Sequence, residues 1–270
     1  RLFISMQLVL ANLGLILGGG FIIGFLIGIT GVGAGSLTTP LLISGVGVPP
    51  AIAVGTDLLF AALTKLSAAW RHQKLGNVDW SILSWLAIGS LPSAIHVLLG
   101  LYIIDPQTGL VAYYIKKGLA ISLIISSVAI LLHPTLRRSP SQENKNETLS
   151  VHARPFGTVL CGILIGFAVA LTSVGAGAIG VAILTGLYPL MIVRKVVGTD
   201  IVHAIPLTLV SGLGHASMGN IDPILLVGLL SGSIPGILIG SRLTGTLPEW
   251  VLRVTLSVVL IYAAFRLLNA

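Results

Sequence analysis

Apolar runs close to the ~20 residues that cross a bilayer core follow one another along almost the whole chain. In hydrocarbon every backbone N–H and C=O needs a partner, and a helix supplies them all within its own segment. Ten helical segments are expected, at about 8–30, 35–45, 50–72, 79–101, 112–133, 155–172, 177–188, 192–215, 221–242 and 248–268, each end good to about four residues. Composition agrees: of 270 residues only 9% are charged, and mean hydropathy is +1.03, whereas soluble domains carry about 25% charged residues. The fold class is an all-α polytopic membrane protein. Spans recurring along the whole chain exclude a single anchor bearing a soluble head, and no cleavable leader is evident. One cysteine, Cys161, makes neither an internal disulfide nor a metal cluster and is expected to pack as a small apolar residue.

The net charge of +7 does not point to nucleic acid, because the basic residues are scattered through loops between spans. They are topology signals. Arg71, Lys74, Arg137, Arg138, Lys145, Arg154, Arg194, Lys195 and Arg242 fall on one side of the expected bundle, against Arg1, Lys116, Lys117 and Arg266 on the other. The positive-inside rule makes the first side cytoplasmic and puts both ends of the chain outside. Trp70, Trp80 and Trp250 fall near the cytoplasmic interface, where amphipathic rings belong. The polar stretch 134–154 reads as an exposed cytoplasmic linker, and its "NET" at Asn146 as a chance match to a glycosylation acceptor.

Two glycine-rich breaks interrupt the apolar pattern. "TGVGAGS", residues 30–36, has a partner in "TSVGAGA", residues 172–178. Further on, "VGTD" at 54–57 recurs at 197–200. His72, Gly76, Asn77 and Asp79 match His215, Gly219, Asn220 and Asp222, and "GSLP" at 89–92 matches "GSIP" at 232–235. Gly55 and Gly198, like Pro92 and Pro235, stand 143 residues apart. Ordered matches at a constant offset mark a duplication: a first membrane repeat at 1–133, the linker at 134–154 and a second repeat at 155–270. Each half holds five segments, an odd number, so the halves are expected to enter the membrane from opposite faces. Inverted repeats with broken or re-entrant helix hairpins are a mark of secondary transporters, whose site lies where the repeats meet near the midplane.

The doubled glycine break and "VGTD", the "HxxxxGNxD" and "GSxP" pieces in each half and the basic central linker resemble the TauE/SafE family of sulfite exporters, also called the TSUP family. The resemblance covers nearly the whole chain. It implies a multi-pass inner-membrane carrier that exports small sulfur-containing anions such as sulfite or organosulfonates. The sulfur substrate follows from the resemblance alone. Phe60 stands opposite His203, and Lys65 opposite Thr208, so the half-sites are not equivalent.

The candidate site follows from the breaks. A dinucleotide loop would need a βαβ unit around the glycines, and these lie among long apolar runs. Gly20, Gly24 and Gly28, and Gly232, Gly236 and Gly240, are expected to serve close helix packing. At the breaks a short helix begins in each half, and its free N–H groups and positive dipole end suit an anion. The expected substrate-binding residues are therefore Thr30, Gly31, Val32, Gly33, Ala34, Gly35 and Ser36 in the first break. In the second they are Thr172, Ser173, Val174, Gly175, Ala176 and Gly177, and Thr56 and Thr199 join them from "VGTD". Asp57 and Asp200 lie about 10 Å inside their spans. Each is read either as a helix cap or as a proton-coupling group, and His203, one turn past Asp200, as a buried hydrogen-bonded histidine or a proton shuttle. Lys65 either snorkels toward the cytoplasm or attracts the substrate. The function expected is alternating-access transport of a small anion with protons as the coupling partner. It has no catalytic residue, metal or cofactor, and its partners are the anion and the lipid bilayer. An anion channel of the same architecture is the rival. An intramembrane enzyme is disfavoured, since neither GxSxG nor HExxH occurs.

Overall fold

The structure is a computed structural model that describes residues 12–30, 35–104, 109–136, 154–189, 191–243 and 248–269, with backbone alone at 30, 35, 133–136 and 249. Its helices are α1 (Leu13–Thr30), α2 (Gly35–Pro40), α3 (Pro50–Lys74), α4 (Trp80–Ile104) and α5 (Gly109–Leu136) in the first half of the chain. The second half forms α6 (Pro155–Thr172), α7 (Ala178–Leu187), α8 (Val193–Ser217), α9 (Pro223–Arg242) and α10 (Glu249–Leu268). A π-helical turn, Leu41–Val46, prolongs α2 and closes on Gly47 in the left-handed region. No strand occurs among the described residues. All ten expected segments are present; only the expected start of the first, at residue 8, lies outside the described residues. Among the described residues seven helices are long and apolar enough to cross a membrane, namely α3, α4, α5, α6, α8, α9 and α10.

Four pairings hold the bundle: α1 with α9, α4 with α6, α3 with α8 and α5 with α10. The first two rest on small residues. A Cβ at Gly20, Gly24 or Gly28 would collide with the backbone carbonyls of Leu229, Ser233 and Ile237. At Gly232, Gly236 or Gly240 it would strike those of Leu17, Phe21 and Phe25. Gly162 and Gly166 of α6 meet the Leu86 and Ser90 carbonyls of α4 in the same way. Lipid is as apolar as a leucine, so helices in a bilayer gain from close backbone approach rather than from burying apolar area. In the last pair Ser127 and Ser257 each donate to the other's carbonyl at 3.2 Å.

The "HxxxxGNxD" pieces have a local explanation. At the end of α3 Gly76 takes φ 68°, and the Asn77 N–H reaches back to the His72 carbonyl at 2.9 Å. At the end of α8 Gly219 takes φ 72°, and the Asn220 N–H reaches the His215 carbonyl at 2.9 Å. This is a Schellman stop, whose left-handed position is nearly free of strain only for glycine. The aspartate two residues on then starts the next helix. Asp79 Oδ1 accepts from the N–H groups of Ser81 and Ile82, and Asp222 Oδ1 from those of Ile224 and Leu225. Each piece thus spells a helix stop, a turn and an N-cap.

These turns also lock the halves together. The Asp222 N–H donates to Thr56 Oγ1 at 3.0 Å, and the Asp79 N–H to Thr199 Oγ1 at 2.9 Å. A Cβ on Gly55 would strike the Asn220 carbonyl, and one on Gly198 the Asn77 carbonyl. The loop of each half therefore seats on the "VGT" of the other, which fixes α3 against α8. These two helices are the most enclosed of the candidate spans, and they carry the buried charges.

Candidate functional site

Asp57 and Phe60 on α3, and His203 on α8, are wholly buried; Asp200 is 1% exposed and Lys65 7%. A buried charge is expensive unless another charge or a hydrogen bond answers it, so the surroundings of each group matter. Thr39 Oγ1, from the short helix α2, donates to Asp57 Oδ2. Thr38 and, from the other half, Ser173 face the same carboxyl group, whose Oδ1 has no hydrogen bond. Asp200 is placed differently. Among the described residues neither of its carboxyl oxygens has a hydrogen-bond partner, and Oδ1 lies so close over Gly180 of α7 that a Cβ there would overlap it.

Lys65 joins the two. Its Nζ donates to the carbonyl of Ala176, inside the second glycine break, at 3.2 Å. It stands near enough to Asp57 and Asp200 for its charge to act on both. The lysine does not extend to the surface; it turns inward and crosses from the first half to the second. His203 lies one turn beyond Asp200 and shares a 2.8 Å hydrogen bond between its Nε2 and Ser90 Oγ of α4, while its Nδ1 is buried without a partner.

The second break shows why small residues alternate there. Ser173, Gly175 and Gly177 have φ of 62°, 137° and 132°, a left-handed conformation at every other residue, costly for all but glycine. Ser173 caps α6 through its N–H to the Val169 carbonyl at 2.8 Å. Thr172 Oγ1 donates to the Ala168 carbonyl at 2.7 Å and accepts from the Val174 N–H at 3.2 Å, so its hydroxyl is occupied by the turn. Thr56 and Thr199 likewise spend their hydroxyls on the cross-half N–H bonds. Ser173 Oγ is buried beside the Asp57 carboxyl group and has no hydrogen bond among the described residues. The turn then opens α7, with Gly180 N–H on the Gly175 carbonyl and Val181 N–H on the Gly177 carbonyl. Of the first break, Gly31, Val32, Gly33 and Ala34 lie outside the described residues and Ser36 is half-buried at the start of α2.

A family model described as "Sulfite exporter TauE/SafE" matches residues 16–267. The chain belongs to the TauE/SafE sulfite exporter family. It is 34% identical to "Probable membrane transporter protein YjnA" of Bacillus subtilis, over 92% of this chain and 97% of that relative. It is 29% identical to "Probable membrane transporter protein YdhB" of the same organism, over 86% of this chain and 91% of the relative. A "Probable membrane transporter protein" of Methanocaldococcus jannaschii is 28% identical over 72% of this chain and 68% of its own. No solved structure matches the chain.

In this TauE/SafE protein the chemistry available at the centre is electrostatic. Among the described residues no group of histidine, cysteine, aspartate and glutamate side chains could hold a metal ion. One ammonium group, two carboxylates, an imidazole and the start of α7 can bind, orient and neutralise a small ion. The sequence reading did not single out Thr39, Ser90 or Gly180. A signal for two of them was present. The breaks match at an offset of 142, as Gly24 and Gly166 do, which pairs Thr38 with Gly180 and Thr39 with Val181. A hydroxyl-bearing helix start in one half thus stands opposite a bare one in the other.

Proposed function

We propose that this TauE/SafE transporter moves small sulfur-containing anions, sulfite or organosulfonates, outward by alternating access, coupled to protons. The single observation that carries this reading is Lys65, a buried ammonium held on the Ala176 carbonyl of the second break, between one aspartate from each half. A membrane protein buries such a group at a cost that function usually explains. The anion displaces the carbonyl from the ammonium and also receives the N–H groups at the start of α7. Ser173 offers its hydroxyl from the same turn. The halves enter the membrane from opposite faces, with the linker cytoplasmic and both ends of the chain outside, and the pairs α1–α9 and α4–α6 rock against the central α3–α8 pair. The matching cross-half bonds of Thr56 and Thr199 support that symmetry.

The test is flux of radiolabelled sulfite in proteoliposomes. A carrier gives saturable uptake and counterflow, accelerated by unlabelled sulfite on the far side. Fast flux that neither saturates nor shows counterflow would favour the channel, and no flux of sulfite or of any organosulfonate would defeat the substrate assignment.

A further inference from the structure

Asp57 and Asp200 occupy matching positions, and a symmetric site would use both alike. The contacts are unlike. Asp57 has one oxygen fixed by Thr39 and is faced by Thr38 and Ser173. Among the described residues Asp200 has no hydrogen bond to either oxygen, and beneath it lies the backbone of Gly180, where the other half has Thr38. Among the described residues, α3 contributes Lys65, whose charge Asp57 shares; α8 itself contributes His203, whose Nε2 is turned to Ser90 of α4; and α7 contributes the Gly180 backbone. Lys65 is therefore the group that answers the Asp200 charge, and it is also the group an arriving anion would engage.

We propose that the two halves divide the work: Asp200, balanced by Lys65, is the carboxylate that takes up and releases the coupling proton, while Asp57 is a fixed anchor. This rests on the transport reading above. When an anion binds Lys65, Asp200 loses its counter-charge. A buried charge without a partner is costly, and a proton from the adjoining solution removes that cost by turning the carboxylate into a carboxylic acid. When the anion leaves, Lys65 returns to Asp200, and the proton departs. The total charge of the site is the same before and after, so one proton travels with one monoanion and no net charge crosses. Packed on the bare backbone of Gly180, the Asp200 carboxyl group has no hydrogen bond among the described residues to break when it changes state. At Asp57 the Thr39 hydroxyl and the facing Thr38 and Ser173 favour the charged carboxylate, so a proton there weakens contacts that hold it.

The experiment uses purified full-length protein in proteoliposomes, with radiolabelled sulfite and radiolabelled methanesulfonate as probes. Methanesulfonate carries no titratable proton near neutrality, so any pH response with it belongs to the protein. Two rates are taken for each variant: homo-exchange at equal pH and uptake driven by a pH gradient. The readout is their ratio, which does not depend on the absolute rate. In the unaltered protein the gradient accelerates uptake at least severalfold. The expected result is that D200N brings the ratio to about one, that D200E restores it, and that D57N keeps the ratio even where its rates fall. A D200N ratio equal to that of the unaltered protein, or a D57N ratio of one, would overturn the assignment. Should D200N fail to purify as a monodisperse species, G180A, which displaces the carboxyl group without removing it, carries the test. Its pH profile should shift, and an unshifted profile counts against the proposal. Absence of homo-exchange in the unaltered protein with both probes defeats the transport reading itself, a result distinguishable from loss of the ratio.

Discussion

Asp57 and Asp200 stand at matching positions on α3 and α8, yet a threonine of α2 holds the first and the bare backbone of Gly180 lies under the second. A few residues away the halves agree closely: Thr56 accepts from the Asp222 N–H, and Thr199 from the Asp79 N–H, within 0.1 Å of one another at 3.0 and 2.9 Å. The matching stretches make like contacts where the halves interlock and unlike ones where the charges sit. Moving an ion needs one group that changes charge and others that hold still, and two identical half-sites would compete for Lys65. Lys65 itself has no counterpart, since Thr208 stands in its place and bonds the Ala204 carbonyl of its own helix at 2.8 Å.

The comparison can be broken most severely at Lys65. Replacing it with methionine keeps the length and removes the charge, leaving Asp57 to Thr39 and Asp200 without its counter-charge. Sulfite flux should fall by more than tenfold, whereas T208V, at the matching position, should leave flux within about twofold. Equal losses would mean the centre is not asymmetric.

The next largest effect concerns the packed interfaces. A methyl group at Gly24 or at Gly166 meets backbone at the matching contacts of the two small-residue pairs, Ser233 in one and Ser90 in the other. G24A and G166A should each destabilise the protein, by about 1–3 kcal/mol, read as a lower melting temperature in detergent. G100A, where nothing lies within 4 Å, should leave the temperature unchanged. A large difference between the first two would say that the pairs are not equivalent.

Removing the hydroxyl that holds Asp57, in T39V, should cost about 1.5–3 kcal/mol, the range for a hydrogen bond to a charged group. The smallest effect expected is at the cross-half bonds: T56V and T199V should each cost about 1 kcal/mol and by similar amounts, and unequal values would break the symmetry of the frame. Ser173 sharpens the other side of the comparison. S173G relieves a left-handed residue, so the melting temperature should hold or rise while sulfite flux falls; a rise in both would deny the hydroxyl a part in transport.

Much of this was legible in the sequence. Helix positions follow from apolar run length, and the packing role of Gly20, Gly24 and Gly28 from their four-residue spacing. The "HxxxxGNxD" pieces announce a stop and a cap because both are short-range events. The surroundings of the charges were less legible. A position along a span gives depth but not the face on which a side chain lies, which is why the bond of Lys65 to Ala176 was not readable from its place in the run. Thr39 meets Asp57 across 18 residues and a π-helical turn, and Ser90 meets His203 across 113. Such contacts follow from how α3, α4 and α8 pack, not from any local pattern. Alignment of the two breaks did carry the Thr38–Gly180 difference, but its meaning depends on which carboxylate lies above each.

The central claim is that the anion is held where Lys65 meets the second glycine break. Selenite, the heavier relative of sulfite, makes that claim directly visible through the anomalous scattering of selenium in an experimental structure of the protein bound to it. The expected result is a selenium peak placed so that selenite oxygens reach Lys65 Nζ and the first N–H groups of α7, lost in Lys65→Met. A selenium site elsewhere in the bundle, or one unchanged in that variant, would contradict it.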